Sequence, residues 1–194
     1  MFREFEHESL ERVYSLFKNR LSLEDFKAKF DSLSGEKKWK FVRGSLLYHQ
    51  ALKCEKCEPN IAMLLLCSCA DAMKVAGEDA GSRKNFKEFY MQYCPNELRT
   101  PPIEYYSDTK PKPQTAPFNK ALDFIYAKFR NPYTHEAKAI LEKPNKKLTG
   151  DFLLDEYKGE YYHADKLKFP EWFENITLES LSSFLRANAQ QRDS

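Results

Sequence analysis

Residues 57–77, CEPNIAMLLLCSCADAMKVAG, constrain this chain more than any other stretch. Pro59 lacks only an amide proton that a first helical turn leaves unused, and Gly77 can take the left-handed turn that stops a helix. Between them the segment is apolar on nearly every side. A helix without a polar face has to lie among other helices, so the pattern predicts a bundle with this segment at its centre. The run Ile61–Ala70 is too short to cross a bilayer, which takes about 18 apolar residues, and Asp71 follows it at once.

The flanking segments carry the amphipathic partners that such a helix requires. Leu10, Val13, Tyr14, Phe17 and Leu21 recur at helical spacing. Ser22 is suited to cap a second helix, with Asp25 in its first turn and Phe26, Phe30 and Leu33 on its apolar stripe. Ser34 is suited to cap a third, carrying Trp39, Val42, Leu46 and Leu47 to about Lys53. RKNFKEFYMQYC, residues 83–94, reads as a shorter amphipathic helix, and Thr177 precedes a last one.

Residues 95–117 break the pattern. Six of the ten prolines lie there, with neither helical nor strand period, which predicts a long loop ending at Thr115, a cap for a helix with Pro117 in its first turn. In that helix Phe118, Leu122, Ile125 and Phe129 form the buried stripe, and Arg130 falls on its edge beside Tyr126 and Asp123. FLLDEYKGEYYHADKLKF, residues 152–169, reads as a β-hairpin turning at Lys158-Gly159. The expected fold is mainly α: an up-and-down helical bundle with one small β-hairpin near residues 151–167. Residues 1–35 form an N-terminal helical extension and 36–194 the bundle, or the two make one continuous domain.

With 194 residues, 42% of them hydrophobic, and a net charge of +2, the chain can bury a large core and carries no global polyanion signal. Its charged N-terminus does not resemble a targeting segment. Five cysteines, two of them inside the apolar run, argue against a disulfide framework and for the cytoplasm.

The helix that starts near Pro117 ends in FRNPYTHEA, residues 129–137. Pro132 offers no proton to the carbonyl of Lys128 and disfavours helical geometry at Asn131, so the helix stops or kinks there. On a straight helix Arg130 and His135 would point about 140° apart; a break lets them converge. Histidine titrates near neutral pH and can move protons. Arginine stays charged and can fork onto two phosphate oxygens. Together they suit attack of a ribose 2′-hydroxyl on its own phosphate, with Asn131 orienting the imidazole or a partner chain. No metal or cofactor is required. Arg43 and His49 share the loose spacing, but they lie on an unbroken helix and face different ways.

KFRNPYTHEA, following NIAMLLLCSCADAMKV, resembles the HEPN superfamily (higher eukaryotes and prokaryotes nucleotide-binding domain), helical bundles with an R-N-x-x-x-H signature near the end of a late helix. The resemblance implies a core of roughly residues 36–190 and a metal-independent endoribonuclease site in which Arg130 stabilises phosphate, Asn131 supports it and His135 is the acid/base. It also implies a homodimer with both motifs lining one cleft, RNA as substrate, and a protein partner such as an antitoxin or a nucleotidyltransferase. Some family members only bind. Ala137 stands where some toxin members carry a modifiable tyrosine, so regulation by that route is not expected.

Other residues bear on this reading. Asp71 can lie against Arg130 and hold its guanidinium, or simply face water. Tyr126 and Tyr133 are placed to stack on a base. The lysines of SGEKKWKFVRG (34–44) and SDTKPKP (107–113) can track an RNA backbone if they gather near His135. Cys54 and Cys57, with His49, Cys67 and Cys69, invite a zinc reading, but Cys67 and Cys69 are about 200° apart on a helix and fit a core better. His163 on the hairpin is a conceivable second acid/base and more simply a surface histidine.

Overall fold

In the computed structural model, residues 2–55, 58–107, 110–130, 152–165 and 168–189 are described. The fold is mainly α, as expected. Helices α1 (Phe2–Phe17), α2 (Leu23–Ser32), α3 (Gly35–Cys54), α4 (Pro59–Ala72) and α5 (Ser82–Tyr93) come first. Strands β1 (Ile103–Ser107) and β2 (Lys110–Thr115) precede α6 (Phe118–Ile125). Strands β3 (Phe152–Tyr157) and β4 (Glu160–Asp165) then lead to α7 (Lys168–Ala189).

The apolar α4 sits where its composition requires, packed against α3, α5, α7 and the turn that follows α6. Gly44 sets the α3–α4 approach: a Cβ there would stand 2.7 Å from Met73 Sδ and 3.5 Å from the Cys69 carbonyl oxygen. α4 ends at Ala72, short of Gly77, because Lys74 (φ 49°) already takes the left-handed conformation. Ser22 and Ser34 cap α2 and α3, accepting from the amides of Asp25 and Lys37. Phe17 and Phe26 join Phe41 and Phe184 in stacked and tilted ring contacts, so α1 and α2 share the core of the later helices.

Three expectations are corrected. The buried face of α3 is Phe41, Gly44, Ser45, Tyr48 and Ala51, which leaves Trp39 66% exposed on the other side. The aromatic residue that looked like core stripe lies about 200° around the helix from Phe41. α7 begins at Lys168, well before Thr177, with Pro170 in its first turn, where its missing amide proton costs no helical bond. Thr177 is therefore buried mid-helix, its hydroxyl donating to the Phe173 carbonyl at 2.7 Å.

The third correction concerns residues 95–117, which hold a short 3-10 turn (Asn96–Leu98) and both β1 and β2. The single hairpin is thus half of a four-stranded antiparallel sheet, in order β2-β1-β4-β3. β2 is an edge strand, and Thr115 ends it instead of capping α6. Its register slips between Gln114 and Lys110, so Pro111, Lys112 and Pro113 stand opposite Tyr106 alone. An edge bulge is where a sheet tolerates residues without an amide proton, which is why the prolines hid the strand. Lys158 and Gly159 (φ 55° and 72°) make the expected two-residue turn between β3 and β4.

One face of the sheet packs on α6. Phe124 stacks on Tyr162 at 4.5 Å, Tyr162 neighbours Tyr105, and Lys120 lies over the Tyr105 ring while pairing with Glu160. The sheet thereby braces the helix that carries Arg130.

Candidate functional site

α6 does not run straight into Arg130. Its stripe of Phe118, Leu122, Ile125 and Phe129 is buried as expected, but Tyr126–Arg130 form a π-helical turn. A π turn shifts the side chains after it round the helix axis relative to an α-helix, and such turns recur at functional sites.

The turn brings Arg130 to the C-terminal end of α4. Its Nη2 lies 3.4 Å from Asp71 Oδ2, and the two side chains retain 18% and 13% of their exposure. A tight charge-assisted bond is nearer 2.8 Å, so the carboxylate steers the guanidinium without a close fork. The other oxygen, Asp71 Oδ1, is buried and has no hydrogen-bond partner among the described residues. Asp71 and Arg130 are therefore together, as the sequence allowed. Asn131, Tyr133 and His135 lie outside the described residues.

Tyr126 is not a platform for a base. Its ring is 6% exposed and packs on Phe86 at 5.3 Å. Its hydroxyl belongs to the Arg130 neighbourhood instead: burial and the charge of Asp71 raise its pKa, while Arg130 and a hydrogen bond with Ser82 work the other way. Asp123, the other residue expected beside Arg130, is held by α5. Arg83 donates to Oδ1 from Nε (3.0 Å) and Nη2 (2.7 Å), and Lys87 Nζ lies 2.8 Å from Oδ2. Burial works to raise the pKa of Asp123, but these hydrogen bonds prevail and lower it.

Two further residues approach the site that sequence reasoning did not assign to it. Ser82, at the start of α5, reaches Tyr126. Arg43 Nη2 donates to the Ala72 carbonyl at 3.0 Å, next to Asp71. Gly44, the close-packing residue beside Arg43, was the available signal for the α3–α4 pairing.

The remaining candidates are dispersed. His49 sits near Lys53 and Arg12, and burial followed by those charges lowers its pKa. His163 Nδ1 lies 3.8 Å from Glu104 Oε2 on the sheet. Cys67 and Cys69 are fully buried thiols whose pKa burial pushes far up, as small hydrophobes in the core of α4. Cys57 lies outside the described residues, and among those described no His, Cys, Asp and Glu side chains group as metal ligands. No described helix is long and apolar enough to cross a membrane. Comparison of the chain with protein-family models, with curated proteins and with solved structures finds no match in any of the three.

Proposed function

We propose that this chain is a cytoplasmic, metal-independent endoribonuclease of the HEPN type that works as a homodimer. The observation that carries the reading is the setting of Arg130: a permanently charged group at the end of a braced helix, steered by Asp71 and still open to solvent at its edge. It joins the R-N-x-x-x-H spacing of Arg130, Asn131 and His135.

In the reaction, His135 takes the proton of a ribose 2′-hydroxyl as that oxygen bonds to the adjacent phosphorus. The bond from phosphorus to the 5′-oxygen breaks, the 5′-oxygen acquires a proton, and a 2′,3′-cyclic phosphate remains. Arg130 stabilises the charge that builds on the phosphoryl oxygens. Asn131 supports the imidazole.

A second reading is a binding module without turnover, docking RNA or a nucleotidyltransferase. The Arg130–Asp71 contact favours it, since a paired guanidinium also serves structure alone. Incubation of the purified chain with mixed RNA in EDTA separates the two. Cleavage with cyclic-phosphate ends, abolished by His135→Ala and by Arg130→Ala in folded protein, supports the first. Saturable binding without cleavage supports the second, and full activity in either variant overturns the assigned site.

A further inference from the structure

A cleft of about 320 Å³ opens on the outer side of α3, lined by Glu36, Trp39, Lys40, Arg43, Lys74 and Glu78. Its chemistry is unlike that of an ordinary solvated helix face. Trp39 is the most exposed of the described large hydrophobic side chains, at 66%. An indole left in water on a rigid helix offers a flat, polarisable surface with little conformational entropy to lose.

The charges are unequally committed. Lys40 is engaged by both carboxylates, Glu36 and Glu78. Arg43 is exposed, and its hydrogen bond goes to the neutral Ala72 carbonyl instead of a carboxylate. Lys74 makes no ion pair with the described carboxylates, and its φ of 49° is unusual for a residue with a side chain. That strained conformation at the end of α4 sets Lys74 at the rim of the cleft beside Trp39 and Arg43. Lys40 is shared by Glu36 and Glu78, and the lining as a whole, three cations against two carboxylates, keeps one net positive charge, with Arg43 and Lys74 outside those pairs beside an aromatic face.

We infer that this cleft binds one unpaired nucleotide of an RNA strand, with the base stacked on Trp39 and the phosphate held by Lys74 and Arg43. Stacking on an aromatic side chain beside a cationic track is how single strands are held without regard to sequence. The choice of RNA rests on the proposed cleavage function. The position agrees with it: Arg43 is bonded to Ala72 and Arg130 lies against Asp71, consecutive residues with Cα atoms about 3.8 Å apart. The end of α4 therefore joins the cleft to the candidate catalytic arginine, and the cleft acts as an anchor for the strand, outside the cleaving groups.

The test uses the full chain carrying His135→Ala, so that the probe stays intact, and fluorescein-labelled oligouridylate. Further arms are uridine monophosphate and heparin, a polyanion without bases. Trp39→Ala is expected to weaken oligouridylate binding about tenfold or more, to abolish the quenching of tryptophan emission on binding, and to leave heparin binding unchanged. Trp39→Phe, which keeps a ring, retains most of the affinity. Lys74→Glu weakens binding and lowers the salt slope by about one. Monophosphate binding that also depends on Trp39 supports the single-nucleotide site. Oligouridylate binding by Trp39→Ala equal to that of the parent, in protein with unchanged circular dichroism, overturns the inference, as does equal loss of heparin binding. The cleavage reading fails separately: a wild-type chain that cuts no RNA but binds oligouridylate through Trp39 sinks the nuclease and keeps the anchor.

Discussion

Arg130 Nη2 stands 3.4 Å from Asp71 Oδ2, across the junction between the π turn after α6 and the last turn of α4. The two helices that the sequence singles out, one for its apolarity and one for its polar terminus, meet at this pair. Asp71 is a positioning residue in the proposed reaction, since it touches Arg130 and not the reacting phosphate. Asp71→Asn keeps the shape and removes the charge that steers the guanidinium. Misplacing a phosphate-binding group by about 1 Å costs up to about a hundredfold in rate. The expected outcome is a fall of that order in kcat with KM little changed, read from initial rates on a defined RNA. A variant that raises KM alone would show that Arg130 serves only to bind.

Asp123 ties α6 to α5 through Arg83 and Lys87, and its pKa is lowered in the folded chain. A carboxylate with a lowered pKa contributes stability that is present above its unfolded pKa and lost as pH falls through the folded one. Asp123→Asn is therefore expected to cost about 1 kcal/mol at pH 7, a modest figure because Arg83 keeps 40% of its side-chain exposure. The difference from wild type should shrink as the pH falls below the ordinary carboxylate pKa. Urea unfolding at several pH values measures it, and a gap that stays constant down to strongly acid pH would refute the linkage.

Glu174 on α7 behaves in the opposite sense. It lines an apolar cavity of about 240 Å³ beside Met63, Leu66, Phe129 and Phe169, and burial, then the nearby Glu55, raises its pKa. A raised carboxyl favours its protonated form in the fold, so its contribution is greatest at acid pH and is lost as pH rises through the folded value. Glu174→Gln, which still accepts from the Tyr48 hydroxyl, is expected to raise the melting temperature at pH 7 and to leave it nearly unchanged at pH 4. Differential scanning calorimetry at the two pH values decides the matter.

Tyr90 and Thr177 form a hydrogen bond of 2.8 Å between fully buried side chains. The single hydroxyl proton of Thr177 is used on the Phe173 carbonyl, so Tyr90 is the donor to Thr177. Thr177→Val strands that donor in the core, at a cost of about 1–3 kcal/mol. Adding Tyr90→Phe removes the stranded group, and the double variant should recover most of the loss. A double-mutant cycle by chemical denaturation that shows simple additivity would refute this account.

Gly44 carries a different constraint. Alanine raises helix propensity by about 1 kcal/mol, but its Cβ would meet Met73 Sδ at 2.7 Å in a closed core. Overpacking of this kind costs about 1–3 kcal/mol. Gly44→Ala should therefore come out neutral to moderately destabilising, where a solvent-facing helix would be stabilised, and thermal unfolding gives the sign.

Much of the helical architecture was legible from the chain alone. Period, caps and the all-round apolarity of residues 59–72 are local properties, and local properties decide where a helix forms and how deeply it lies. The same holds for the hairpin, because Lys158-Gly159 meets a local backbone demand for two left-handed residues. The proximity of Asp71 to Arg130 could be posed as a question from spacing but not answered.

What only the tertiary structure decided depends on partners distant in sequence. β1 and β2 were hidden because the prolines of this segment argue against a strand by local rules, while β1 pairs with β4, more than 40 residues on, and β2 takes the tolerant edge beside β1. Trp39 and Phe41 lie two positions apart on one helix, and nothing local says which faces the core. The rings of Phe17, Phe26 and Phe184 take up Phe41, and Gly44 admits the end of α4 close to α3, which leaves the indole in water. The contact between Arg130 on the π turn and Asp71 on α4 is likewise tertiary, set where Phe129 of the same turn packs into the core.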